Sequence, residues 1–265
     1  MKNFHEKRLL GTTGLQTGRL GISSSFGAPA AAYEEAFDRG CNYFTWGTFI
    51  KGRSSAMAKA IRNIRRQGRR DELVLAMLSY AHQNTMTAFF LERGLKKLGL
   101  DHTDILILGY FSKRPPQRLI DGALKLKERG LVRHLGITSH NRDLFPSLAG
   151  ERVFDLFHVR YSAAHPGAEK DVFPLLPAQN RPGIVTFTAT AWGRLFNERK
   201  MPAGEKPLNP PECYRFVLSN PNVDVCMMGA KDIFEMRENL GVLDQDPLTE
   251  EEMQHVRKIG AYVHG

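Results

Sequence analysis

Apolar residues along this chain gather into short runs, separated by longer stretches in which they recur every three to four positions. The first pattern predicts strands and the second amphipathic helices. Lys7 to Leu10 and Leu15 to Thr17 flank the glycine-rich turn Gly11-Thr12-Thr13-Gly14 and predict a hairpin. Eight further strands are predicted: Leu20 to Ser24, Asn42 to Trp46, Leu73 to Leu78, Asp104 to Leu108, a strand opening at Leu131, Asp155 to Val159, Gly183 to Thr188, and Asp224 to Met228. Helices are predicted between them: Ala30 to Asp38, one from about Ser55, Thr85 to Leu98 stopped by Gly99, and one from the Pro115-Pro116 turn to about Glu128. Others follow at Asp143 onward, Asp171 to Leu176, Pro211 to Leu218, Phe234 to Leu240 and Thr249 to Val263. The run DILIL at Asp104 to Leu108 is apolar on both faces, as in a strand covered on both sides.

One stretch shows the repeating unit most clearly. LVRHLGITSHNRDLF, Leu131 to Phe145, begins as a strand, breaks into Thr138-Ser139-His140-Asn141, and resumes as a helix. Short polar side chains suit that break because they bond nearby backbone groups. Strand and helix in alternation favour a parallel sheet. The eight strands and the length of 265 residues, close to the ~250 of one (β/α)8 barrel, predict a TIM barrel with an N-terminal hairpin. A doubly wound open sheet is the structural alternative. No linker or low-complexity segment divides the chain, so residues 1–265 read as one domain.

Composition narrows the class. Hydrophobic residues make up 42% and charged residues 25%, ordinary for a globular protein. No apolar run reaches the ~18 residues of a membrane helix, and MKNFHEKRLL has no secretory apolar core. Three widely spaced cysteines, Cys41, Cys213 and Cys226, form neither a disulfide framework nor a metal knuckle. A reduced, cytoplasmic setting is the expectation. The net charge is +9, densest in RNIRRQGRR at Arg62 to Arg70. Met57, Ala60, Ile61 and Ile64 share one helix face and the arginines lie largely on the other. No aromatic residue interleaves with them, so a solvated helix face is expected rather than a nucleic-acid patch. The field still favours anionic ligands such as phosphorylated cofactors.

Four stretches carry a resemblance: GTTGLQTGRLGIS near the start, LKKLGLDHTDILIL, GLVRHLGITSHN, and SNPNVDVCMMGAKDIFEMRENLGVLDQDPLTEEEM near the end. In these motifs and their order the chain resembles the aldo-keto reductases, from about Arg8 to Met253. The resemblance implies a (β/α)8 barrel plugged by the hairpin, and NADPH extended across the strand C-termini without a Rossmann motif. Consistently, no GxGxxG follows a strand. It implies a nicotinamide carboxamide held by Ser139 and His140, with Thr138 before them, and by His158 in the place of a glutamine. It implies Phe187 stacked on the nicotinamide ring. Thr188 to Leu195, with Arg194, stands for the loop that wraps the pyrophosphate. Gly229, Ala230 and Lys231 stand where the family meets the adenosine 2'-phosphate, and Glu235, Glu238 and Asn239 where adenine lies. Lys231 suits NADPH; Glu235 beside it leaves NADH possible.

The resemblance also implies a catalytic aspartate, tyrosine, lysine and histidine, and here the sequence departs. Phe-Asp-Thr-Ala becomes Phe44-Thr45-Trp46-Gly47, so Thr45 replaces the aspartate. The tyrosine place falls on Ile50, or on Phe49 with a loop one residue shorter. Leu78 takes the lysine place and Gly109 the histidine place. The proton donor and the charge that tunes it are therefore absent. Tyr80, His82 and Tyr110 lie on strand-end loops and are the candidates for a rebuilt catalytic set. Trp46 and Phe49 suggest an aromatic pocket for a flat or apolar small molecule. No metal site is expected. The long C-terminal substrate loops of the family are missing, so the pocket is expected to be open, or covered by a protein partner or second copy. A divergent NAD(P)H-linked oxidoreductase is the leading expectation. The alternatives are a catalytically silent NAD(P)H-binding regulatory protein and a non-redox lyase or isomerase.

Overall fold

The structure is a computed structural model that describes residues 3–47 and 54–264. Two short strands, β1 (Arg8–Leu9) and β2 (Gln16–Thr17), pair antiparallel as the expected hairpin. Eight parallel strands then close a barrel: β3 (Leu20–Ser23), β4 (Tyr43–Trp46), β5 (Val74–Ser79), β6 (Thr103–Gly109), β7 (Val132–Ser139), β8 (Leu156–Arg160), β9 (Gly183–Phe187) and β10 (Val225–Met228). Closure is direct, since β10 pairs with β3 from Cys226↔Leu20 to Met228↔Ile22. The open-sheet alternative is thereby excluded.

Period-two alternation along the strands builds two cores. Tyr43, Val74, Ala76, Ile105, Ile107, Leu156, Val185 and Val225 fill the barrel interior. Leu75, Leu106, Leu108, Phe157, Ile184 and Cys226 face outward into the layer beneath the helices. The run DILIL is apolar throughout because Ile105 and Ile107 point in while Leu106 and Leu108 point out. The helices are α1 (Ala30–Asp38), α2 (Ser54–Arg66), α3 (Asn84–Leu98), α4 (Gln117–Glu128), α5 (Leu144–Ala149), α6 (Ala168–Asp171), α7 (Pro210–Ser219), α8 (Ile233–Leu240) and α9 (Glu250–His264). The helix expected over Asp171 to Leu176 is different in kind. A single turn, α6, ends at Asp171, and a separate 3-10 turn spans Phe173–Leu175. Pro174 lacks an N–H, so it opens a turn more readily than it continues a helix.

The arginine-rich helix buries Met57, Ala60, Ile61 and Ile64 as expected. The end of the basic run has structural partners. Arg69 bonds Asp38 at 2.6 Å and Glu72 at 2.9 Å, and Arg70 bonds Asp104 at 2.8 Å.

The N-terminal end of the barrel is held by one repeated device. A polar side chain just before or at the start of a strand accepts a backbone N–H from the preceding strand region. Asn42 accepts from Gly18 at 2.8 Å, Asp104 from Leu75 at 2.9 Å, Asp155 from Leu135 at 2.8 Å, and Asp224 from Ile184 at 2.7 Å. Leu10 of the hairpin plugs this end against Gly183. Gly11 makes the plug possible. Its φ is +53°, and a Cβ there would stand 2.2 Å from the backbone N of Gly183. Gly11→Ala is expected to destabilise the protein by at least ~2 kcal/mol, combining left-handed strain with backbone overlap. Urea denaturation measures the loss.

Candidate active site

At the opposite end, the strand C-termini open into a cavity of about 600 Å³. Its floor is built by residues at the upper ends of the strands: Ser23, Thr45, Leu78, Thr138, His158 and Met227. Its walls come from Phe187 and the loop after β9, from Glu235, Glu238 and Asn239 of α8, and from an aromatic rim. Rim residues Phe26, Tyr110 and Trp192 are 53%, 49% and 66% exposed, although each is large and apolar.

Two glycines shape the walls. A Cβ on Gly229 would lie 2.0 Å from the Phe26 ring, so the bare backbone of the β10 end lets that ring lie on it. A Cβ on Gly109 would lie 2.4 Å from the ring of Tyr80. A side chain at position 109 and the Tyr80 ring thus exclude each other.

Tyr80 begins a stack. Its ring lies 5.1 Å from that of Tyr110 at an interplanar angle of 9°, and Tyr110 lies 5.2 Å from His140 at 13°. His140 meets Phe187 edge-on at 5.6 Å. Tyr110 holds φ +39°, an unusual conformation for a bulky residue and one found mostly where a site demands it. Burial, and after it the neighbouring Tyr110, pushes the Tyr80 hydroxyl above its ordinary 10.0. His140 is lowered by burial and by Arg160.

The expected cofactor positions divide into two groups. His158, Phe187, Thr188, Gly229, Glu235, Glu238 and Asn239 all line the cavity. Ser139, His140, Arg194 and Lys231 stand outside its lining and have protein contacts of their own. Ser139 donates to Phe111 O at 2.7 Å and accepts from Asn141 N. Arg194 donates to Val263 O, and Lys231 pairs with Glu235. Among the expected catalytic candidates, Tyr80 and Tyr110 line the cavity, whereas His82 stacks on Phe111 at 4.6 Å outside its lining. Thr45 and Leu78 line the floor, and Ile50 with Phe49 lies outside the described residues.

The loop after β9 takes an unusual path. Thr188, Ala191, Trp192 and Gly193 have φ of 62°, 49°, 55° and 78°. Three of these are not glycine, and each such residue costs ~1–3 kcal/mol, a kind of strain that concentrates at binding sites. The electrostatics run against the chain's overall charge. Among the described residues, the only charged side chains on the lining are Glu235 and Glu238. Glu235 accepts from Lys231 N at 2.9 Å as well as pairing with its ammonium.

Sequence reasoning missed Tyr43, which reads there only as one apolar member of a strand. Its hydroxyl lies 2.7 Å from His158 Nε2 across the barrel. The partners are 115 positions apart, so no local pattern could have joined them. Phe26 and Tyr214 were missed too, and Trp192 entered only as part of the loop Thr188 to Leu195; an aromatic residue in a loop, or on a helix such as α7, carries no signal of which cavity it lines. Among the described residues no group of three or more His, Cys, Asp or Glu side chains could hold a metal ion, and no helix is long and apolar enough to cross a membrane.

A family model described as "Aldo/keto reductase family" matches residues 9–212. No curated protein matches the chain. Among solved structures, the holo form of an aldo-keto reductase from Bacillus halodurans superposes with a TM-score of 0.78, at 20% identity over 96% of both chains. A thermostable aldo-keto reductase in complex with the inhibitor epalrestat gives 0.76, at 19% identity over 96% of this chain and 99% of that one. At such identities the likeness of the structures is one of fold.

Proposed function

Because the chain belongs to the aldo/keto reductase family, matched over residues 9–212, we propose that it is an oxidoreductase that binds a reduced nicotinamide dinucleotide and has rebuilt its proton-donating group around Tyr80. The observation that carries the reading is the cavity itself. It brings Phe187, His158 and Asn239 into one lining with the phenol of Tyr80.

The residues fit the nicotinamide end of the cofactor. Phe187 offers a half-buried aromatic face, and His158 a polar group at the floor. The strained loop from Thr188 to Gly193 offers backbone dipoles for a pyrophosphate. When bound, the dinucleotide supplies the hydride. Tyr80 holds the proton that the substrate oxygen takes up. A phenol is protonated across the neutral range, and burial extends that state to higher pH. Phe26, Tyr110 and Trp192 give the mouth an exposed apolar rim that suits a flat or apolar carbonyl compound.

The adenine end supports NADH over NADPH. A 2'-phosphate there would face Glu235 and Glu238, and the neighbouring Lys231 is already paired with Glu235. Glu235→Gln is expected to free Lys231 and tighten NADPH binding up to about fivefold, the scale of one exposed ion pair, with NADH little changed. Parallel titrations of the two dinucleotides check this.

Oxidation of NADH and NADPH in the presence of varied aldehydes and ketones tests the reading. Turnover of an aromatic or apolar carbonyl supports it. Saturable binding with no turnover of any carbonyl identifies a silent binding protein instead.

A further inference from the structure

Tyr43 and His158 meet inside the barrel with their rings 5.9 Å apart. Tyr43 is fully buried and His158 is 5% exposed. The direction of their 2.7 Å hydrogen bond follows by elimination. A buried hydroxyl has one proton to give. Among the described residues, the Tyr43 hydroxyl has no other hydrogen-bond partner than the imidazole Nε2. Were Nε2 the donor, that buried O–H would be left without an acceptor at a cost of ~1–3 kcal/mol, so Nε2 is the acceptor and carries no proton. Burial lowers the His158 pKa to about 3, so the ring is neutral and its single proton sits on Nδ1. Nδ1 has no protein partner among the described residues, and His158 lines the cavity floor.

We infer that Tyr43 is a positioning residue that locks His158 as the Nδ1–H tautomer, so that the cavity floor presents one fixed N–H donor to a carbonyl oxygen of the bound ligand. This deepens the function proposed above and rests on it for the identity of the ligand. The side-chain amide of a glutamine in this place would offer a donor and an acceptor together. The locked imidazole offers the donor alone, and it selects a C=O over an N–H. Two oxygens share this chemistry: the carboxamide oxygen of nicotinamide and the carbonyl oxygen of a substrate.

Long-range proton–nitrogen NMR on the full chain labelled with ¹⁵N-histidine reads the tautomer directly. His158→Gln identifies the resonances by their loss. The ligand-free protein is expected to show His158 protonated on Nδ1, and Tyr43→Phe to convert that pattern into a mixture of tautomers. An Nε2–H pattern in the unmodified protein overturns the inference, as does a pattern that Tyr43→Phe leaves unchanged. If Tyr43→Phe does not fold, the unmodified protein's tautomer decides alone. Adding NAD⁺, and then NAD⁺ with benzaldehyde, separates the two oxygens. A shift of the Nδ1–H resonance with NAD⁺ alone assigns the carboxamide; a shift only after benzaldehyde assigns the substrate. No shift with NAD⁺ bound and benzaldehyde saturating overturns the donor role. Failure of any dinucleotide to bind contradicts the proposed function, and the ligand-free spectrum still decides the tautomer.

Discussion

Tyr80→Phe is expected to lower kcat for carbonyl reduction by roughly 10²–10⁴-fold, the usual contribution of a positioned general acid, while leaving dinucleotide affinity nearly unchanged. The change removes one hydroxyl and keeps the ring that packs over Gly109, so the wall of the cavity is preserved. Steady-state kinetics beside a binding titration check both halves. The pH profile gives an independent signature. A raised pKa keeps an acid protonated to higher pH, so its donor form is fully present below the folded pKa and lost only above it. Burial and Tyr110 raise Tyr80 above 10.0. The rate is therefore expected to show no alkaline fall from Tyr80 below about pH 10. A fall near neutrality, as a phenol tuned by a nearby cation would give, assigns the acid to another group.

Asp224→Ala is expected to cost about 3–5 kcal/mol of stability, the range for breaking a buried ion pair on one side. The Asp224 side chain is 3% exposed and takes two bonds from Arg181, at 2.8 and 2.6 Å, and one from Ile184 N at 2.7 Å. Alanine leaves that N–H without a partner between β9 and β10, and leaves the guanidinium of Arg181 without its carboxylate. Urea unfolding monitored by circular dichroism measures the loss. Because Asp224 lies at the N-terminal end of the barrel, far from the cavity, residual folded protein should keep its affinity for the dinucleotide.

These two substitutions probe opposite ends of the barrel, and the sequence shows the N-terminal end more openly than the cavity. The strand at Leu73 to Leu78 and the doubly apolar run at Asp104 to Leu108 are legible because runs of apolar residues are local patterns. So is the hairpin turn at Gly11. The break after Asp171 follows from Pro174, which lacks the N–H that a continuing helix needs, and which a helix placed over Asp171 to Leu176 leaves out of account. At the site, Phe187, His158 and Asn239 were legible through the family pattern, and the cavity gathers them. The engagement of Ser139, Arg194 and Lys231 with protein groups was not legible, since each bond is set by tertiary geometry. The same holds for the Tyr80 ring over Gly109: the sequence shows a glycine where a histidine is expected, but not what fills its space. Tyr43 illustrates the limit, because a strand tyrosine is apolar by pattern and polar only by its partner.

The most direct test is a fluorescence titration of NADH into the protein and into Phe187→Ala. Saturable binding by the unmodified protein is expected, weakened about tenfold or more in the variant, since stacking of a base-like ring on an aromatic side chain contributes ~1–3 kcal/mol. Absence of saturable binding by the unmodified protein, or equal affinity in the two, would contradict a nicotinamide dock on the β9 end.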